Sequence, residues 1–132
     1  MAMDLSEILK TAEAQNSGHS FELLDPVRGE PTGIKLIVAG PDSTISKTAF
    51  QAMEKEDARL SARKTAVTGA DRERLMDEFF ATIVIGWDAK EKGKPVPFSK
   101  EAFLRLLRAG AWVRAQVDAF ALDRSPYFKA EG

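Results

Sequence analysis

An apolar stripe near the middle of the chain constrains the fold most: Leu75, Met76, Phe79, Phe80, Ile83, Val84 and Trp87. Their three- and four-residue spacings place them on one helical face, and that face is broad enough to need a core against it. The pattern predicts a central helix ending at Trp87. Thr68-Gly69-Ala70 breaks the chain before it, Asp71 is placed to cap it, and Glu73 lies near its positive end. A chain of 132 residues supplies one domain to surround such a helix.

Downstream, a charged loop runs from Asp88 to Lys94, and Pro95-Val96-Pro97-Phe98-Ser99 turns the chain into its next helix, with Ser99 as N-cap. Ala102, Phe103, Leu106 and Leu107 line a short helix to about Arg108. After Ala109-Gly110, Trp112, Val113, Gln116, Val117, Phe120 and Ala121 line a last helix ending near Asp123 or Arg124. Ser125-Pro126 stops it, because proline lacks an N–H and disfavours helix at the residue before it. Residues 125–132 then form a C-terminal tail, in which Tyr127 and Phe128 are either free to dock on a partner or folded back on the body.

Upstream, Leu5 to Ala14 suits a short helix, and Asn16-Ser17-Gly18-His19-Ser20 breaks it, so residues 1–19 read as a flexible N-terminal arm. Phe21 to Leu24 and Ile34 to Ala39 are strand-like, the second alternating Ile34, Leu36 and Val38 against Lys35 and Ile37. The Pro- and Gly-rich stretch between them predicts an antiparallel hairpin with a long loop. A lone hairpin is marginal in water and leaves an edge open, so Val38 becomes a candidate for pairing with another chain. Asp42 or Ser43 can cap a helix from about Ser46 to Thr65. Its stripe of Ala49, Phe50, Met53, Leu60 and Val67 is thin and interrupted by charge. Such a helix is either largely solvated or reserves its apolar residues for a partner. The fold class expected is α+β: a mainly helical single domain over 20–124, with an N-terminal antiparallel β-hairpin packed on about four helices.

Composition narrows the function. Nineteen basic against 20 acidic side chains give a net charge of −1, so no global basic field gathers nucleic acid. Cysteine is absent, which excludes disulfides and thiolate chemistry. The longest apolar run, Phe79 to Gly86, is too short to span a bilayer. Asp4 and Glu7 stand where a signal peptide wants basic residues. These features predict a soluble, intracellular protein with no membrane partner.

The familiar catalytic patterns fall one by one. His19, the single histidine, reads as a solvated loop residue. The stretch from Gly40 to Lys47 lacks the second glycine before the lysine that a phosphate loop needs. Asp88 to Gly93 has the outline of a calcium loop, but Lys90 and Lys92 put ammonium groups where oxygen ligands belong. Glu54 with Asp57, and Glu73 with Asp77, read as solvated pairs on charged helical faces. The expectation is a non-enzyme without metal or cofactor, working by binding other proteins.

Several stretches in order resemble the tail assembly chaperones of long-tailed, siphophage-type bacteriophages or prophages. They are Phe21-Glu22-Leu23-Leu24-Asp25-Pro26 with Gly29-Glu30-Pro31-Thr32-Gly33-Ile34 and Asp42-Ser43; Thr82-Ile83-Val84-Ile85-Gly86-Trp87; Gly93-Lys94-Pro95-Val96-Pro97-Phe98-Ser99; and Trp112-Val113-Arg114-Ala115-Gln116-Val117-Asp118 with Asp123-Arg124 and Phe128. The resemblance implies a binding protein that associates with the tape measure protein, keeps it soluble, helps recruit tail tube protein and commonly self-associates. It implies work in the cytoplasm of the bacterial host and departure before the virion is complete. A structural tail or neck component retained in the particle is the alternative. The candidate partner-binding residues are Val38, Phe50, Met53, Leu60, Tyr127 and Phe128; Met suits varied surfaces because its thioether chain is flexible.

Overall fold

The computed structural model describes residues 2–128. Helix α1 (Leu5–Ser17) leads into strands β1 (His19–Leu24) and β2 (Pro31–Val38), followed by helices α2 (Thr44–Ser61) and α3 (Gly69–Ile83). Strand β3 (Val84–Asp88) and the small ribbon of β4 (Lys90–Glu91) and β5 (Lys94–Pro95) precede α4 (Lys100–Leu107), α5 (Ala111–Leu122) and a 3₁₀ turn at Ser125–Tyr127. The architecture is α+β, mainly helical, with one core. Residues 129–132 of the tail lie outside the described residues.

The hairpin forms as its turn residues require. Asp25 accepts from the backbone N–H groups of Val27, Arg28 and Glu30 at 3.0, 2.7 and 2.9 Å, closing the loop between β1 and β2. The partner of β2 on its other side corrects the two-stranded reading. The sheet order is β1-β2-β3, so β2 is central and antiparallel to both neighbours. Val38 faces His19 on one side and Val84 on the other and is fully buried, so it offers no edge for another chain.

The same finding shortens the central helix. It ends at Ile83, and Val84 to Asp88 pair with β2 through Val38, Ile37, Leu36 and Lys35. Val84 and Ile85 are β-branched and favour extended backbone, and Gly86 is a poor helix former. A Cβ at Gly86 would lie 3.3 Å from the Ile37 side chain, so glycine also permits the close strand approach. The helical spacing misled because Val84 and Trp87 face the core side from a strand as well. Trp87 is anchored there by its indole N–H, which donates to the Val96 carbonyl at 2.8 Å, and by its edge-to-face contact with Phe98.

Thr68, rather than Asp71, caps α3. The Thr68 hydroxyl accepts from the Asp71 N–H, and the Asp71 carboxylate accepts from the Thr68 N–H, each at 3.0 Å. Ser43 caps α2 and Ser99 caps α4, each through a hydroxyl accepting a backbone N–H three residues on. The core joins Leu23, Leu36 and Val38 of the sheet to Phe80 and Ile83 of α3, Phe103 and Leu107 of α4, and Val113 and Val117 of α5. Phe21 stacks on Phe120 with ring centroids 4.7 Å apart, tying β1 to α5. The Gln116 amide satisfies both the N–H and the carbonyl of Leu24, which blunts that end of the outer strand.

Candidate partner-binding surface

Helices α2 and α3 lie side by side and leave a cleft of about 370 Å³ between them. Small side chains on α2, Ala49 and Ala52, create the space, and buried Leu60 closes its floor. Met53 projects from α2, and Leu75 and Phe79 from α3, all half-buried, so apolar surface stays open to solvent. Phe50 adds an exposed ring on α2 outside the cleft lining, 49% accessible.

The rim is charged, and its charges are paired. Glu56 holds Arg59 through both carboxylate oxygens. Asp71 receives Arg63 at 2.9 Å and Arg74 at 2.7 Å, and Glu78 receives Lys100 at 2.7 Å. Its hydrogen bond from the Thr68 backbone, aided by the Thr68 hydroxyl pairing and both guanidinium groups, holds the Asp71 carboxyl far below the ordinary aspartate range. The Arg59 guanidinium likewise lowers the Glu56 carboxyl, so Glu56 and Asp71 are held as anions. The arrangement suits binding: an apolar trough between fixed, locally neutralised walls.

The six residues singled out from the sequence do not form one surface. Met53 and Leu60 share the cleft, but Leu60 is 1% exposed and serves as its floor rather than as a contact. Val38 is inside the sheet. Tyr127 folds back, its hydroxyl donating to the Val38 carbonyl at 3.4 Å and its ring edge-on to His19. Phe128, next to it, remains 45% exposed. His19 opens β1 and packs on Phe21 as well, so it belongs to a strand and not to a loop.

Sequence reasoning missed Leu75 and Phe79 as cleft residues, having given the whole stripe of α3 to the core. It also misplaced Asp77, which is 5% exposed and clasped by Arg108, just past the end of α4, at 3.3 Å and by Arg114 of α5. Arg114 also reaches Glu73 at 3.6 Å. Arg108 and Arg114 were visible in the sequence, but nothing local ties them to Asp77, and the nearby Arg105 pairs with Glu91 instead. Among the described residues, no group of three or more His, Cys, Asp or Glu side chains could hold a metal ion. No helix among them is long and apolar enough to cross a membrane.

The described residues thus form an α+β, mainly helical domain with an apolar cleft open between α2 and α3. Its origin comes from a family comparison: residues 42–131 match the model described as YdaY prophage protein. The chain belongs to that family and is a phage or prophage protein. The match starts at the turn into α2 and takes in both cleft helices, while α1, β1 and β2 precede it. No curated protein and no solved structure matches the chain.

Proposed function

We propose that this prophage protein is a tail assembly chaperone, holding an apolar helical segment of the tape measure protein and helping to recruit tail tube subunits in the host cytoplasm. The observation that carries the reading is the open cleft between α2 and α3, with Met53, Leu75 and Phe79 half-exposed along it. A ridge of Leu, Ile or Phe side chains from an amphipathic helix fits such a trough in the helix-in-groove mode. Removing that ridge from water is what keeps a long apolar helix from aggregating. The phage or prophage origin agrees with such a role, and the order of motifs from residue 20 to 128, which resembles that of tail assembly chaperones, supplies the partner.

The test is co-expression of the tape measure protein of the same prophage with this protein, and with Met53→Asp and Leu75→Asp variants whose folding is checked by circular dichroism. The tape measure should be soluble with the parent protein, insoluble alone, and largely insoluble with either variant. A tape measure equally soluble alone ends the chaperone reading. Variants that solubilise as well as the parent move the contact away from the cleft. Purified particles should lack the protein; finding it there supports a retained tail or neck component instead.

A further inference from the structure

Two other apolar surfaces are uncovered, and they carry opposite charge. The first is α1. Leu5, Ile8 and Leu9 lie on one face at helical spacing and are 70%, 46% and 56% exposed. Polar contacts from the last turn of α1, at Gln15 and Asn16, fix the helix to the body, so the residues before them stand out as an arm. From Asp4 to Ser17 this arm carries three carboxylates, Asp4, Glu7 and Glu13, against Lys10 alone.

The second surface is a groove of about 260 Å³ where the sheet meets β4 and α4, walled by Ile34, Trp87, Val96 and Leu106. Lys90 and Arg105 flank it, and Lys92 and Lys94 continue the basic run along the small ribbon. Against these four cations stand Asp88 and Glu91, the latter already paired with Arg105. The groove therefore has two cations in excess and the arm two anions. The larger cleft between α2 and α3 offers no such contrast, because Glu56, Asp71 and Glu78 in its lining are paired with Arg59, Arg63, Arg74 and Lys100.

We propose that the arm of one copy seats in the sheet–α4 groove of a second copy, Leu5, Ile8 and Leu9 entering beside Trp87 while Glu7 and Asp4 meet Lys90 and Lys92. Each copy has one arm and one groove, so the contact is either reciprocated in a two-fold dimer or repeated head to tail. This inference is independent of the chaperone reading and survives its failure.

Mixing separates the two halves of the contact. Leu9→Asp disables the arm and leaves the groove; the double change Lys90→Glu, Lys92→Glu disables the groove and leaves the arm. All three substitutions are at exposed positions, so the fold is retained. Mass is read by sedimentation over a concentration series of the full chain. The parent should associate, and each variant alone should associate at least about tenfold more weakly. An equimolar mixture of the two variants should recover one contact and stop at a 1:1 dimer. A parent that stays monomeric into the millimolar range, a variant that associates like the parent, or a mixture that stays monomeric overturns the proposal.

Discussion

Gln15 and Asp42 grip each other twice. The Asp42 backbone N–H donates to the Gln15 side-chain oxygen at 2.7 Å, and the Gln15 amide nitrogen donates to the Asp42 carboxylate at 3.3 Å. The Gly40 N–H reaches the Gln15 carbonyl at 2.8 Å, and Arg124 clamps the same carboxylate at 2.7 and 3.0 Å. One buried amide thus ties α1, the turn into α2 and the end of α5 together. Gly40 is required by that tie, since a Cβ there would lie 2.4 Å from the Gln15 side chain.

Gln15→Ala should release α1 more than it weakens the whole fold. It removes the acceptor of the Asp42 N–H, and because Asp42 is exposed and water can take that place, the cost is about 1 kcal/mol, the usual net worth of one hydrogen bond. Amide hydrogen exchange should accelerate along Leu5–Ser17 while the core of α3 stays protected. Uniform acceleration through α1 and α3 would show that α1 is integral to the global unfolding unit.

Asp77 should be costly to remove. Asp77→Ala leaves Arg114, which is largely buried, without its main anion, and breaking a buried pair costs about 3 to 5 kcal/mol. The lower end applies, because Arg108 is more than half exposed and water recovers it. Arg108→Ala should then cost less than about 1 kcal/mol. Chemical denaturation of the two variants checks the ordering, and equal losses would contradict it.

The acid limb of stability should be steep below the ordinary aspartate value of 3.8. Asp71 is held down first by the Thr68 backbone N–H, Asp42 by Arg124, and Asp25 by the N–H of Arg28. Each binds its proton more weakly in the folded chain than in the unfolded one. The unfolded state therefore takes up more protons as pH falls, and stability present above 3.8 is lost progressively below it. Asp71→Asn should flatten that limb as well as lower the stability at neutral pH. An acid profile with unchanged slope would remove Asp71 from the explanation.

How far the fold could be read from residues depended on whether a signal was local. Ser43 and Ser99 as caps, the Pro- and Gly-rich hairpin loop, and the stop at Ser125-Pro126 rest on a few neighbouring side chains, and the structure has them there. Strand β3 was hidden because the three-residue step from Val84 to Trp87 reads as helical, and only the register shift at Ile85, between the Val38–Val84 and Ile37–Gly86 pairs, puts both on one face of a strand. That pairing also closed the edge on which Val38 was placed. The cleft was half legible: the thin stripe with Met53 pointed to it, but Leu75 and Phe79 come from another helix. Asp77 looked like a surface acid because its arginine partners follow it by 31 and 37 residues.

Trp87 offers the sharpest check on that strand. Its indole N–H bonds the Val96 carbonyl across the β4–β5 ribbon, and Phe98 packs edge-on at 5.5 Å. Trp87→Phe keeps an aromatic ring but leaves the Val96 carbonyl without its donor. The expected loss is about 1 kcal/mol, the usual net worth of one hydrogen bond. Proline at Gly86, which pairs with Ile37, is the companion change, since it fixes φ and brings ring atoms to a strand contact where even a Cβ would lie 3.3 Å from the Ile37 side chain. Chemical denaturation should show Trp87→Phe mildly destabilised and Gly86→Pro severely so, with exchange accelerated in β2 opposite the break. Unaltered protection of Leu36 and Ile37 in Gly86→Pro would mean that β2 does not depend on β3, and the three-stranded sheet would lose its place as the base of the core.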